Sequence, residues 1–187
     1  MSPSCITYSL PSERIRPFSR AAAMEPRIRR VVSWSVLPSI YGALMADKPA
    51  EIRAKLEHWL DENNRDAILD LYAGLAEREP LFRWSIQHSN YAYGTSDVYE
   101  YLQKARAFTI EPVAERITQD VLLLSAREDL LVDFALYKQE IDLLKNTRSL
   151  EFAAPGRALN GQAHCNMGNT KYMLDLILNW NDRMLER

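Results

Sequence analysis

Four consecutive apolar residues, Val121, Leu122, Leu123 and Leu124, constrain this chain more than any other stretch. A small-residue turn, Ser125 and Ala126, follows them, and then an acidic pair, Glu128 and Asp129. A short apolar run bounded by turn residues is the pattern of a strand buried on both faces, as strands of a parallel sheet are. The carboxylates then stand just past the carboxyl end of the strand, the edge of an open α/β sheet where ligands bind. His164 lies 35 residues beyond Asp129 in GQAHCNMGN, a loop with glycines at 161 and 168. Residues 148–153 form one more strand between them, so acid and base can meet across one sheet edge. A strand-end turn can present either Glu128 or Asp129.

The chain before this point divides by pattern. CITYSL alternates as a short strand and delivers Ser9 at its end, with the backbone N–H of Leu10 next in line. A serine nucleophile needs that placement, and it also needs small residues two before and two after, because the turn is strained. Thr7 and Pro11 occupy those places, and Pro17 follows. Ser9 is therefore a candidate nucleophile on a degraded elbow, or an ordinary surface serine. Residues 19–24 suit a helix that ends before Pro26. Residues 28–36, with Val31, Val32, Trp34 and Val36, suit a strand by β-branched and aromatic content.

From residue 37 to about 116 the pattern is helical. Ile52, Leu56, Trp59 and Leu60 stripe one helix opened by Pro49, and residues 65–77 form a second. Pro80 opens a third with Leu81, Trp84 and Ile86, and Ser96 caps a fourth. Between the third and fourth, QHSNYAYGTSD reads as a loop that concentrates His88, Tyr91 and Tyr93 around Gly94. Tyrosines of this kind either anchor a loop through their hydroxyls or recognise a ligand. His58 sits beside the first stripe as a surface histidine. Beyond the strand at 121, Phe134, Tyr137, Ile141 and Leu144 mark a helix packing on the sheet. Met173, Leu174, Ile177, Leu178 and Leu185 stripe the closing helix, with Trp180 on its flank.

These segments carry a resemblance. DVLLLSARED, the helix after it, the strand RSLEF and QAHCNMGN before a last helix resemble the C-terminal half of serine α/β-hydrolases. They are most similar to the group of fungal polyketide-shortening pigment hydrolases and pseudooxynicotine hydrolase, whose histidine loop typically reads HCQxGN. RAAAMEPRIRRVVSWSV is similar to the helix and strand after the nucleophile elbow in that group, and FRWSIQHSNYAYG resembles a segment of its helical lid. The resemblance runs from about residue 20 to the end, so the N-terminal half with an intact elbow is expected to be missing.

It implies an α/β fold: a partial α/β-hydrolase sheet of about three to four strands with an inserted helical lid. The segments would be 1–19, irregular with a possible elbow remnant; 20–36, core helix and strand; 37–116, the lid; and 117–187, the α/β core carrying acid and base. It favours Asp129 over Glu128 as the carboxylate, with His164 as base and Ser9 as the only placed nucleophile. Trp84, His88, Tyr91 and Tyr93 would line the substrate. The implied activity is hydrolysis of a carbon–carbon or ester bond next to a carbonyl, on a small-molecule substrate of aromatic or polyketide-like character, impaired by truncation. The alternative is a non-catalytic hydrolase-derived fragment that acts as a binding or interaction protein, or as a homo-oligomer through an exposed sheet edge or the lid. Loss of one oxyanion donor alone costs on the order of 100- to 1,000-fold in rate.

Composition excludes other classes. In 187 residues, 47% hydrophobic with 26% charged is ordinary for a globular domain, and a net charge of −2 gives no field to hold nucleic acid or an anionic membrane. No apolar run approaches the ~20 residues that span a bilayer. The two cysteines, Cys5 and Cys165, have neither disulfide nor CxxC spacing, and no HExxH or phosphate-binding glycine loop occurs, so no metal or other cofactor is expected. A reducing, cytoplasmic compartment fits. The first 20 residues share the serine-rich, basic bias of a transit peptide, but lack a secretory apolar core.

Overall fold

The computed structural model describes residues 5–9, 16–35 and 37–186, with side chains from residue 20 onward. Four parallel strands lie side by side in chain order: β1 (Cys5–Ser9), β2 (Ile28–Trp34), β3 (Asp120–Leu124) and β4 (Ser149–Ala153). Because all run the same way, Ser9, Trp34, Leu124 and Ala153 end at one edge of the sheet. β3 is buried at every position, which is what four successive apolar side chains require of a central strand. The expected α/β class with its small parallel sheet is therefore the observed one.

Helices supply the crossovers that parallel strands need. α1 (Arg16–Met24) joins β1 to β2 and packs on β2. It begins three residues before the expected start and takes Pro17 into its first turn, where proline is tolerated. α7 (Ala135–Leu143) joins β3 to β4 and sets the Tyr137 ring against that of Phe152, tilted, with centroids 5.7 Å apart. A final helix, α8 (Thr170–Leu185), covers the other face. Its buried stripe is Met173, Ile177, Trp180 and Met184, set against Val32, Trp34, Leu122 and Leu124. The expected stripe is thus corrected: Trp180 sits at its centre, while Leu174, Leu178 and Leu185 are exposed.

At the opposite end of the sheet Asp120 is buried and fixes β3 to β4. Its carboxylate accepts from Arg148 Nε at 2.9 Å and Ser149 Oγ at 2.7 Å, and Arg148 Nη2 bonds its second oxygen. The Arg148 guanidinium holds this carboxyl below the usual aspartate range. Arg30 ties β2 to the end of α8 by donating to Asn181 Oδ1 at 3.2 Å and to the Met184 carbonyl at 2.9 Å.

Residues 39–108 form a separate compact unit inserted between β2 and β3. It contains five helices among the described residues: α2 (Ile40–Met45), α3 (Ala50–Asp61), α4 (Arg65–Arg78), α5 (Pro80–Tyr93) and α6 (Val98–Ala107). The first, capped by Ser39, was not legible in the sequence. α6 is capped by Asp97, which accepts from the Glu100 N–H, and not by Ser96, whose N–H and hydroxyl instead donate to the Glu100 carboxylate. The supposed loop at 87–93 is the last two turns of α5, which ends at Gly94 in the left-handed conformation. The 3-10 turn Glu111–Arg116 belongs with the sheet unit.

Candidate active site

Two loops leave the carboxyl edge of the sheet and are bonded to each other along their length. Strand pairing runs one residue past β3, where Ser125 N–H donates to the Ala153 carbonyl at 2.9 Å. Arg127 Nε then donates to the Ala154 carbonyl at 2.9 Å, and Glu128 N–H donates to the Gln162 carbonyl at 2.9 Å. The Glu128 carboxylate is exposed and paired with Arg157, its Oε1 accepting from Nε at 2.7 Å. Glu128 is therefore a clasp between the loops, and the next residue is the one turned inward.

Asp129 has a side chain with 0% exposure. Its Oδ1 accepts from the backbone N–H of Leu131 at 2.8 Å and of Val132 at 3.1 Å, an Asx-type turn that fixes the carboxylate before any partner arrives. The His164 ring nitrogen Nδ1 lies 2.9 Å from both carboxylate oxygens. An ionised carboxylate only accepts, so Nδ1 carries the proton and Nε2 presents its lone pair. That is the tautomer a general base needs, with the carboxylate placed to stabilise the imidazolium when it forms. The His164 side chain is 35% exposed, which leaves the ring open to a reactant while its acid stays dry.

The backbone around His164 is unusual. Cys165 and Asn166 both adopt left-handed conformations, φ 57° and 52°, a geometry that costs a non-glycine residue about 1–2 kcal/mol each. Gly168 is required by contact, since a Cβ there would fall 2.2 Å from the Asn160 carbonyl oxygen. Burial pushes the Cys165 thiol up to about 11, so it rests as the uncharged thiol at neutral pH.

Asn166 is fully buried and uses its whole carboxamide: Trp34 Nε1 donates to Oδ1 at 2.8 Å, and Nδ2 donates to the carbonyls of Ser125, at 2.8 Å, and Gly161. Nothing in the sequence separates it from an exposed loop asparagine. Glu140, also missed, is buried on α7, and burial alone pushes its carboxyl up to about 8, so it is mostly protonated at neutral pH. Burial likewise pushes the Tyr137 hydroxyl up to about 12, with the charge of Asp129 adding to it.

Ser9 is the last residue of β1, in register with Ser33 of β2, and so ends at the same sheet edge as the Asp129 and His164 loops. Leu10 lies outside the described residues. In the helical unit, Trp84, His88 and Tyr91 fall on one exposed stripe of α5, Trp84 stacking on His88 at 5.1 Å and Tyr91 being 87% exposed. Tyr93 does not share that face: it is buried edge-on against Tyr101 and Phe108. His58 is exposed on α3. Among the described residues no group of three or more histidine, cysteine or acidic side chains could hold a metal ion. Among them too, no helix is long and apolar enough to cross a membrane.

No protein-family model and no curated protein sequence matches this chain. Solved structures do. An α/β-hydrolase enzyme from a Medee basin deep-sea metagenome library is similar over 95% of this chain and 64% of its own length, with 16% identity and a TM-score of 0.50. E-2-(acetamidomethylene)succinate hydrolase is similar over 88% of this chain and 62% of its own, with 20% identity and a TM-score of 0.46. An esterase from Pyrococcus furiosus is similar over 90% and 46%, with 12% identity and a TM-score of 0.44. The chain thus spans about half the length of the esterase and under two thirds of the other two. At such identities the likeness concerns the fold, and it is the metagenome enzyme that carries it. The chain contains part of the α/β-hydrolase fold.

Proposed function

We propose that this chain carries the acid and base of a serine hydrolase that cleaves an ester or carbon–carbon bond next to a carbonyl. The observation that supports it is the dry Asp129 carboxylate bonded to His164 Nδ1 at the carboxyl edge of adjacent parallel strands. In this reading Ser9 Oγ loses its proton to His164 Nε2 as it attacks the substrate carbonyl, and Asp129 stabilises the imidazolium. The imidazolium returns that proton to the leaving group as the scissile bond breaks, leaving an acyl ester on Ser9. Water, deprotonated by the same nitrogen, then hydrolyses the ester and regenerates serine and acid product. The substrate this reading assigns is a small carbonyl compound of aromatic or polyketide-like character, by the resemblance of the sequence. Leu10 N–H is the oxyanion donor that this scheme assigns.

A fluorophosphonate probe, which phosphonylates activated serines, tests the reading. It is expected to attach at Ser9 and to leave Ser9→Ala unlabelled; a folded wild-type chain that stays unlabelled overturns it.

A second reading rests on β1, whose outer edge pairs with no strand among the described residues. An open parallel edge is a template for another strand. In that reading the chain is a binding protein, or self-associates through this edge or through the α5 stripe.

A further inference from the structure

We infer that Asn166 is the positioning residue that sets the imidazole of His164 against Asp129. Its importance for turnover rests on the hydrolase reading; its effect on the ring does not. The acid is already rigid, because Leu131 and Val132 hold its carboxylate through their backbone N–H groups. The base has no such local support. His164 opens a 3-10 turn in which the next two residues are left-handed, so its direction depends on whatever fixes the loop just after it.

Asn166 does this at three points. Its Oδ1 takes the indole N–H at the end of β2, one Nδ2 hydrogen goes to the Ser125 carbonyl just past β3, and the other goes to Gly161 at the start of the histidine loop. The orientation of the amide is unambiguous, since an indole nitrogen only donates and carbonyl oxygens only accept. Its own N–H donates to the Ala163 carbonyl at 2.8 Å, closing the turn around His164. The end of β2, and the end of β3 that leads into the Asp129 turn, are thereby tied to the loop that carries the base.

No other small side chain makes all three side-chain bonds. Aspartate at 166 would set a charge against two carbonyl oxygens, and alanine or leucine would leave the Ser125 and Gly161 carbonyls short of a donor in the interior. Asparagine is also among the side chains that best tolerate φ near 50°. Glycine separates the two roles, because it accepts the backbone and deletes the amide.

The test is the tautomer of His164, read by long-range nitrogen–proton NMR at a pH where the ring is neutral, together with probe labelling at Ser9. Wild type is expected to hold the Nδ1–H form almost wholly. Asn166→Gly is expected to convert at least half of the ring to the Nε2–H form and to slow labelling by about 100-fold, the scale on which a small misplacement acts. An Asn166→Gly variant that folds and keeps the Nδ1–H form overturns the inference, as does a wild type without it. Should Asn166→Gly fail to fold, Trp34→Phe decides, since it removes one of the three bonds. A measurable gain of the Nε2–H form supports the inference and an unchanged ring overturns it. If wild type stays unlabelled while Asn166→Gly shifts the ring as stated, the hydrolase reading falls and this inference stands.

Discussion

Asp129→Asn is expected to lower probe labelling, and any ester hydrolysis by the chain, about 10⁴-fold, the loss measured when the triad carboxylate of a serine protease becomes an amide. The reason is donor and acceptor count. Asparagine can still accept the Leu131 and Val132 N–H groups through its oxygen, so the turn keeps its shape. The remaining side-chain group is then an NH₂, which only donates, and it faces His164 Nδ1. The ring answers by moving its proton to Nε2, the nitrogen that must be empty to take a proton from serine. Labelling rates beside thermal melting curves check this: the rate falls while the melt stays near wild type. A rate within tenfold of wild type contradicts the role assigned to Asp129.

Trp180→Ala is expected to destabilise the sheet unit by about 3–5 kcal/mol, the range for removing a large buried aromatic. Trp180 is fully buried at the centre of the α8 stripe, against Trp34 and Leu122. Its indole N–H has no acceptor among the described residues, so the loss is packing and a cavity, not a hydrogen bond. Leu178→Ala, two residues earlier on the exposed side of the same helix, is expected to change stability by under ~0.5 kcal/mol. Urea unfolding of both variants checks the pair. Equal midpoints would mean that α8 meets the sheet through the other stripe.

That contrast also marks what sequence could say. β3 was legible because VLLL admits no exposed face, and the acid after it followed at once. α8 was legible as a helix but not in rotation: 173, 177, 180, 184 and 174, 178, 185 are both helical stripes, and only the sheet beneath selects between them. The end of α5 was misread because tyrosine, asparagine and Gly94 look like a turn, whereas Gly94 is the cap that stops a helix carrying the tyrosines. The helix at 40–45 is too short for a period to emerge. In the site, Asp129 and His164 stood out through their place after successive strands. Asn166 could not, because its partners, Trp34, Ser125 and Gly161, lie up to 132 positions from it and meet only in the folded sheet.

The most direct test of the account is to look for the acyl-enzyme. The chain is mixed with an aryl ester, quenched in acid within the first turnovers, digested and mapped by mass. The account predicts the acyl group on the peptide containing Ser9, absent from Ser9→Ala and scarce in His164→Ala. Ester turnover with no acylated serine, or an acyl group on a different residue, would contradict it.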